Sequence, residues 1–238
     1  MTDSSGNKFK VSCVLPAYNE QECIEEAVIA ARKALQLNTE EFEIIAVDDG
    51  STDNTLEILN GLKSIVPELT VVKHDCNIGY GAALKDGFLI SRYDLVFYTD
   101  SDLQFDITEI EKLLPFTNEF DIVTGYRIKR NDPAIRLYLS RGFNSLVGLM
   151  FRLRVKDINC AFKIFKRFIF DEIQIESNEF FVDTEILAKC KAKELKIKEV
   201  GVNHYPRKAG NATVRYSDII GTIKELYRIR KSIISMKV

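Results

Sequence analysis

The chain has 238 residues, 46% of them hydrophobic and 29% charged, with a net charge of −2. That length and balance fit one α/β domain with a proper core, and they exclude a disordered chain and a basic nucleic-acid-binding module. No apolar run reaches the length of a bilayer span, residues 1–10 lack the apolar stretch of a signal peptide, and five scattered cysteines, never spaced C-x-x-C, point to reduced thiols in the cytoplasm rather than to a zinc site.

Residues 1–9 read as a flexible N-terminal segment and 10–238 as a single domain, divided into a half at 10–126 and a half at 127–238. Residues 11–15 read as a buried strand ended by Pro16, and 20–37 have helical periodicity. A second strand spans 42–47. A second helix spans 52–65, with Ser51 or Thr52 as N-cap. A third strand covers 69–73, a helix entered through a glycine-containing loop covers 79–91, and a fourth strand at 95–99 runs straight into Asp100. A short helix at 107–116 and a short strand at 121–124 follow. Beyond them come a long arginine-rich helix at 133–154, a strand at 160–165, a helix at 181–193, an extended stretch at 197–205 and a basic amphipathic helix at 218–234. Alternation at this spacing implies a mainly parallel central sheet with helices on both faces.

In such sheets ligands sit at the carboxyl ends of the strands. Three polar clusters lie at strand ends here: Pro16-Ala17-Tyr18-Asn19-Glu20, Asp48-Asp49-Gly50-Ser51-Thr52-Asp53 and Asp100-Ser101-Asp102-Leu103-Gln104. Packing alone does not require that convergence. Asp100 and Asp102 are able to approach one divalent cation, with Gln104 adding an oxygen; Mg²⁺ and Mn²⁺ take such ligands and bridge carboxylate to phosphate. Asp48 and Asp49 suit hydrogen bonds from a base N–H or a ribose hydroxyl, or equally an ordinary strand–turn–helix junction. Tyr18 suits stacking on a base. Asn77-Ile78-Gly79-Tyr80-Gly81 is similar to a phosphate loop but lacks G-x-G-x-x-G and the P-loop Gly-Lys-Ser/Thr, so its glycines are expected to permit close packing at a helix start.

Charge is unevenly distributed. Residues 1–126 hold 9 lysines and arginines against 23 aspartates and glutamates, whereas residues 127–170 hold 11 against 2 and residues 207–231 hold 7 against 2. An acidic half suited to a cation precedes a basic half suited to phosphates.

Taken together and in order, Val14-Leu-Pro-Ala-Tyr-Asn-Glu20, Val47-Asp-Asp-Gly-Ser-Thr-Asp53, Asn77-Ile-Gly-Tyr-Gly81 and Tyr98-Thr-Asp-Ser-Asp-Leu-Gln104 resemble the family 2 inverting glycosyltransferases. The implied fold is GT-A, the nucleotide-diphospho-sugar transferase fold. Asp-Ser-Asp-Leu-Gln is closest to the branch of dolichyl-phosphate mannose synthase and polyprenyl-phosphate glycosyltransferases. The resemblance places nucleotide contacts on Pro16, Tyr18, Glu20, Val47, Asp49, Asp100 and Ser101, with Ala17 and Asp48 beside them. It places the metal on Asp102 and Gln104, with Asp100 adjoining. Arg127 and Arg207 fall at the donor diphosphate, and Arg136 and Ser140 at the acceptor phosphate. The branch often has a lysine a few residues after the late arginine, where Thr213 stands here with Lys208 and Arg215 nearby. Its Gly-Phe-Arg segment appears as Ala161-Phe162-Lys163.

The expected reaction moves a hexose from GDP-mannose, UDP-glucose or UDP-N-acetylglucosamine to a polyprenyl or dolichyl phosphate, with Asp102, Arg127, Asp157 and Arg207 as the catalytic set. A phosphate acceptor is already anionic and needs little general-base help. A hydroxyl acceptor, the alternative within the family, requires a base, for which Asp157 comes first and Asp183 or Glu185 next. A sugar-nucleotide-binding module without turnover is the third reading. Residues 141–154 and 218–234 mix apolar and basic side chains in a way that suits the cytoplasmic face of a membrane, contacted peripherally, through a membrane-anchoring subunit or as a homo-oligomer.

Overall fold

The computed structural model describes residues 9–128, 134–179, 181–207 and 219–236, with side chains described from residue 142 in the fourth helix and from residue 224 in the last. The expected flexible segment, apart from Phe9, lies outside these residues, as do Lys208, Thr213 and Arg215.

Seven strands form one sheet in the order β3-β2-β1-β4-β6-β5-β7. β1 (Lys10–Ala17) lies between β2 (Glu41–Asp48) and β4 (Leu95–Thr99), parallel to both. Every β1 residue from Val11 to Ala17 is buried, as a central parallel strand covered on both faces must be. The chain winds outward from β1 through β2 to β3 (Leu69–Lys73), then returns to the other side of β1 as β4. That reversal opens a crevice at the carboxyl ends of β1, β2 and β4. β6 (Phe162–Lys166) runs antiparallel to both β4 and β5 (Ile122–Arg127), and β7 (Ile197–Val202) is parallel to β5. The sheet is therefore mainly parallel, as expected, with β6 as the exception. Phe162, the first residue of β6, pairs with Thr99, the last of β4, so β6 starts at the edge where β1, β2, β4, β5 and β7 end.

The helices are α1 (Ile24–Asn38), α2 (Thr55–Leu62), α3 (Tyr80–Ile90), α4 (Ala134–Phe151), α5 (Ile169–Glu172), α6 (Val182–Ala192) and α7 (Ile219–Ser235). α1 buries Ile24, Ala27, Val28, Ala31, Ala34 and Leu35, spaced three and four apart on one stripe. α3 comes so close to β1 that a Cβ at Gly87 would strike the Val14 side chain.

Several boundaries differ from expectation for identifiable reasons. α1 begins at Ile24 rather than residue 20, the stretch before it closing as a turn in which Cys23 N donates to Glu20 O at 2.9 Å. α2 begins at Thr55, since Ser51 and Thr52 are occupied elsewhere: Ser51 Oγ accepts from Asn19 N and Thr52 N donates to Asn19 Oδ1. Neither caps the helix; Asn54 holds the N-cap position. The helix expected at 107–116 is two 3₁₀ turns, Ile107–Lys112 and Leu114–Asn118, with Pro115 opening the second. The single turn α5 was not foreseen.

Gly50, at φ 69°, sits where β2 turns into the site, and an added Cβ would lie 2.6 Å from Asn77 N. Gly50→Ala is expected to cost about 2 kcal/mol or more, through both strain and collision. Gly61, inside α2 with nothing within 4 Å of an added Cβ, gives the opposite sign, a gain of roughly 0.5–1 kcal/mol for Gly61→Ala. Urea unfolding of the two variants measures both.

Candidate active site

The ends of β1 and β2 are stitched together. Asp49 N donates to Ala17 O at 2.8 Å, Gln21 N to Asp53 Oδ2 at 3.2 Å and Asn54 N to Gln21 Oε1 at 3.1 Å. Asn19 adopts φ 55° within this junction and Leu103 adopts φ 60° beside the acidic pair. Such conformations persist only where surrounding contacts hold them. The third strand end is tied in by Ser101 Oγ, which donates to Pro16 O at 2.8 Å. The three clusters thus form one floor, with Tyr18 half-buried at its rim.

Asp100 and Asp102 lie on this floor. Tyr80, the first residue of α3, donates its hydroxyl to Asp100 Oδ1 at 2.9 Å. Asp102 Oδ1 accepts from Gln104 N at 3.1 Å. Burial, then the charge of Asp102, lifts the Asp100 carboxyl well above the usual carboxylate range; burial also raises Asp102, against the opposing Gln104 N–H and Arg207. Residues 104–105 pair with 204–205: Tyr205 N donates to Gln104 O at 2.8 Å, Gln104 Nε2 to Tyr205 O at 3.2 Å, and Phe105 bridges to His204. This pairing brings Arg207 to the pair from the far end of the sequence. Arg207 bonds Glu20 Oε1 and lies 3.9 Å from Asp102 Oδ2.

Among the described residues, no three His, Cys, Asp or Glu side chains converge as a ready-made metal cluster. The donor set nevertheless suits a hard divalent cation completed by ligand oxygens. Two carboxylates resist sharing one edge while both are charged, and Gln104, its amide nitrogen engaged, offers Oε1.

Asp48 and Asp49 part company. Asp49 accepts from Ile78 N and Gly79 N, both at 2.9 Å, and bonds His74 Nδ1 at 2.7 Å. It holds the 76–79 loop in place. Asp48 is 1% exposed, and neither of its carboxylate oxygens has a hydrogen-bond partner among the described residues. Val47 is fully buried, so its side chain belongs to the core. Gly79 and Gly81 permit close packing, as expected: an added Cβ at either would strike the main chain at 177–178. Asn178 O accepts from Gly81 N at 2.6 Å and Ala82 N at 3.1 Å, so a carbonyl occupies the α3 N-terminus where a phosphate loop would place its ligand.

The candidate bases are engaged by cations. Arg127, at the end of β5, grips Asp157 with Nε at 2.6 Å and Nη2 at 2.7 Å. Asp183 Oδ1 accepts from Lys163 Nζ at 2.7 Å and from the Tyr98 hydroxyl, with Lys163 fully buried. Glu185, also fully buried, accepts from Glu176 N, Ser177 N and Lys189 Nζ at 3.0, 2.7 and 2.6 Å. That corrects the reading of Glu185 as a base, for its charge is already matched and shut away from solvent. Asp183 and Glu185 also stand in the first turn of α6, where acidic side chains suit the helix dipole. Arg136 and Ser140 fall in α4, where their side chains lie outside the described ones.

Tyr80 and His74 carry no individual signal in the sequence, although both stand in or beside the motif at 77–81. Lys163 stands out there only where an arginine is usual. A buried lysine following an apolar strand start is a signal that a carboxylate must lie opposite.

A mainly parallel sheet with this acidic pair at its switch point defines a nucleotide-diphospho-sugar transferase fold of the GT-A type. Residues 12–174 match the sequence model of Glycosyl transferase family 2, and the chain belongs to that family. Glycosyltransferase AglD of Haloferax volcanii is 33% identical over 230 residues, covering 92% of this chain and 36% of the relative. Undecaprenyl-phosphate 4-deoxy-4-formamido-L-arabinose transferase of Yersinia pestis is 31% identical over 220 residues, covering 91% of this chain and 66% of the relative. The chain therefore spans about a third of the one and just under two thirds of the other. Glucosyl-3-phosphoglycerate synthase of Mycobacterium tuberculosis superposes with a TM-score of 0.68 at 18% identity, covering 96% of this chain and 80% of that one. Its complex with Mn²⁺, UDP and glucosyl-3-phosphoglycerate gives 0.66 at 19%, covering 96% and 78%. These likenesses establish the shared fold.

Lys163→Met would strand Asp183 without its cation and is expected to cost about 3–5 kcal/mol. Adding Asp183→Asn should recover part of that loss, and a double-mutant cycle by chemical denaturation measures the coupling.

Proposed function

We propose that this chain is an inverting glycosyltransferase that moves a hexose from a nucleotide-sugar to a polyprenyl phosphate. The observation that carries the choice of acceptor is the state of the candidate bases. Asp157, Asp183 and Glu185 are each held by a cation, through Arg127, Lys163 and Lys189. A hydroxyl acceptor needs a base to take its proton, whereas a phosphate arrives as an anion and needs positioning and charge screening. The transfer of sugar to undecaprenyl phosphate named for the Yersinia relative supports the same class of acceptor.

The nucleotide lies against the ends of β1 and β2 in this reading. Tyr18 stacks on the base, and Pro16 and Ala17 flank it. Asp48, buried and without a donor among the described residues, accepts from the base or ribose, where Glu20 and Asp49 adjoin. Asp102 with Gln104 and the neighbouring Asp100 would hold Mg²⁺ or Mn²⁺, the ions bound with UDP in the structural relatives. When bound, such an ion supplies positive charge beside the donor diphosphate. Arg207, tethered by Glu20, faces the same diphosphate and steadies the charge that develops as it leaves. Ser101 keeps the floor in register with Pro16. Arg127, oriented by Asp157, presents its guanidinium from the end of β5, and Arg136 and Ser140 receive the acceptor phosphate.

A groove of about 480 Å³ on the outer surface is lined by Leu146, Leu149, Met150, Arg152 and Arg230, joining α4 to α7. Leu149 is 84% exposed there. Among the described residues, no helix is long and apolar enough to cross a membrane. The mixture of exposed apolar and basic side chains suits peripheral contact with an anionic bilayer.

A thermal-shift screen of GDP-mannose, UDP-glucose and UDP-N-acetylglucosamine with Mn²⁺ or Mg²⁺ should single out one donor. Asp102→Ala should abolish the metal-dependent part of that shift and lower turnover roughly 10²–10³-fold. Full activity of that variant in EDTA would sink the metal assignment. With the donor known, product formation on a polyprenyl phosphate but not on a free sugar is the expected outcome; the reverse would establish the hydroxyl reading. Flotation with anionic vesicles is expected, and its absence would remove the peripheral contact.

A further inference from the structure

His74 follows β3 and is 7% exposed. Its Nδ1 lies 2.7 Å from Asp49 Oδ1 and its Nε2 lies 3.0 Å from Asp86 Oδ2. An ionised carboxylate offers only lone pairs, so each ring nitrogen has to bring a hydrogen, and a neutral imidazole carries only one. Asp49 also accepts two backbone N–H groups, so both of its oxygens serve as acceptors. The Asp86 carboxylate is 44% exposed and open to water. The geometry therefore calls for a doubly protonated ring.

Asp49, from the turn after β2, and Asp86, from α3, are the charged groups that face this ring. Lys73 and Asp75, on its own segment, stand 3.8 Å apart and solvent-exposed. Burial opposes the charge on His74, but the bonds to Asp49 and Asp86 outweigh it and hold the imidazole above its ordinary value.

We propose that His74 is a positioning residue for donor binding: an imidazolium tied to Asp86 that fixes Asp49, and with it the 76–79 loop, at the nucleotide end of the cleft. This rests on the reading that the β2 end receives the nucleotide. The sign follows from the pairing. Because the folded-state value is raised, the clamp is complete below about 6.5, the ordinary value of a histidine. It is lost as pH rises through the raised value, since a neutral ring can donate to only one carboxylate. Nucleotide affinity therefore falls on the alkaline side. Asp86 lies on α3, whose first residue holds Asp100, so the ring also ties that helix to the nucleotide end.

The chain has two histidines, so ring NMR signals of the full-length protein resolve His74 once His204 is substituted. Calorimetric titration with GDP and with UDP, each with Mg²⁺, supplies the affinity across pH 6–9. His74 is expected to titrate above about 6.5. Affinity should fall about tenfold over the same range. Asp86→Asn should move both transitions to lower pH. His74→Asn, which keeps an N–H near the Nδ1 position but does not titrate, should flatten the affinity profile. A ring that titrates at or below the ordinary value overturns the proposal, as does an affinity profile that neither variant alters. Asp49→Asn separates the two levels of inference. If it binds nucleotide as the wild type does, or if the wild type binds neither nucleotide, the placement of the nucleotide fails and the proposal falls with it. If Asp49→Asn weakens binding while His74→Asn leaves the pH profile unchanged, the role of His74 alone is overturned.

Discussion

Like charges crowd one edge of the sheet, and much of the architecture around that edge consists of the means of holding them there. Glu20, Asp49, Asp100, Asp102, Asp157 and Asp183 stand at or near strand ends on that edge. Arg207 answers Glu20 and Asp102, His74 answers Asp49, Arg127 answers Asp157, and Lys163 answers Asp183. Burying a carboxylate is costly unless it is paired and hydrogen-bonded, and removing one partner leaves the whole cost standing. Asp100 is the exception to this pairing by cations. It has the Tyr80 hydroxyl, which eases its burial without cancelling its charge. The edge is thus neutralised piece by piece except at Asp100 and at Asp48, whose carboxylate has no hydrogen-bond partner among the described residues, and a cationic ligand complex is most welcome beside Asp100.

The same pattern explains the uneven distribution of charge along the chain. Arg127, Lys163 and Arg207 all come from the basic second part of the sequence. β6 enters between β4 and β5 and starts at the crowded edge, which delivers Lys163; the parallel pair β5 and β7 ends there and delivers Arg127 and the segment leading to Arg207. Insertion of an antiparallel strand among parallel ones is therefore more than a topological detail, because it aims a buried lysine at the back of the site.

Much of this was legible in the sequence. β1, β2 and β4 stood out as apolar runs because central strands bury both faces, and their polar ends marked the edge that matters. Helix starts were harder. Ser51 and Thr52 have the right chemistry for an N-cap, but their hydrogen bonds go to Asn19, a residue about thirty positions away that local pattern does not reveal. The glycines at 79 and 81 announced a close approach without naming its partner, which lies about a hundred residues later. Asp183 and Glu185 illustrate the limit for site residues. As letters they suit a base, a helix start or a buried ion pair equally well, and only Lys163 and Lys189, placed by the fold, decide among them. His74 gave no signal on its own, since its meaning depends on two aspartates contributed by different elements.

The main-chain seat of α3 has a further consequence. Asn178 receives the helix through its carbonyl oxygen, and the neighbouring Ser177 N–H is held by Glu185. Atoms that every residue possesses make both bonds, so side-chain chemistry at position 178 is unconstrained by them while the spacing of the segment is not. Each residue of extended chain covers about 3.3 Å. A one-residue deletion between α5 and α6 would pull the carbonyl off the helix by more than a hydrogen bond's length. Relatives are thus free to vary position 178 but not the count of the segment, while Ser177 beside it is held by its side chain as well, accepting from Arg228 Nη2 at 2.6 Å.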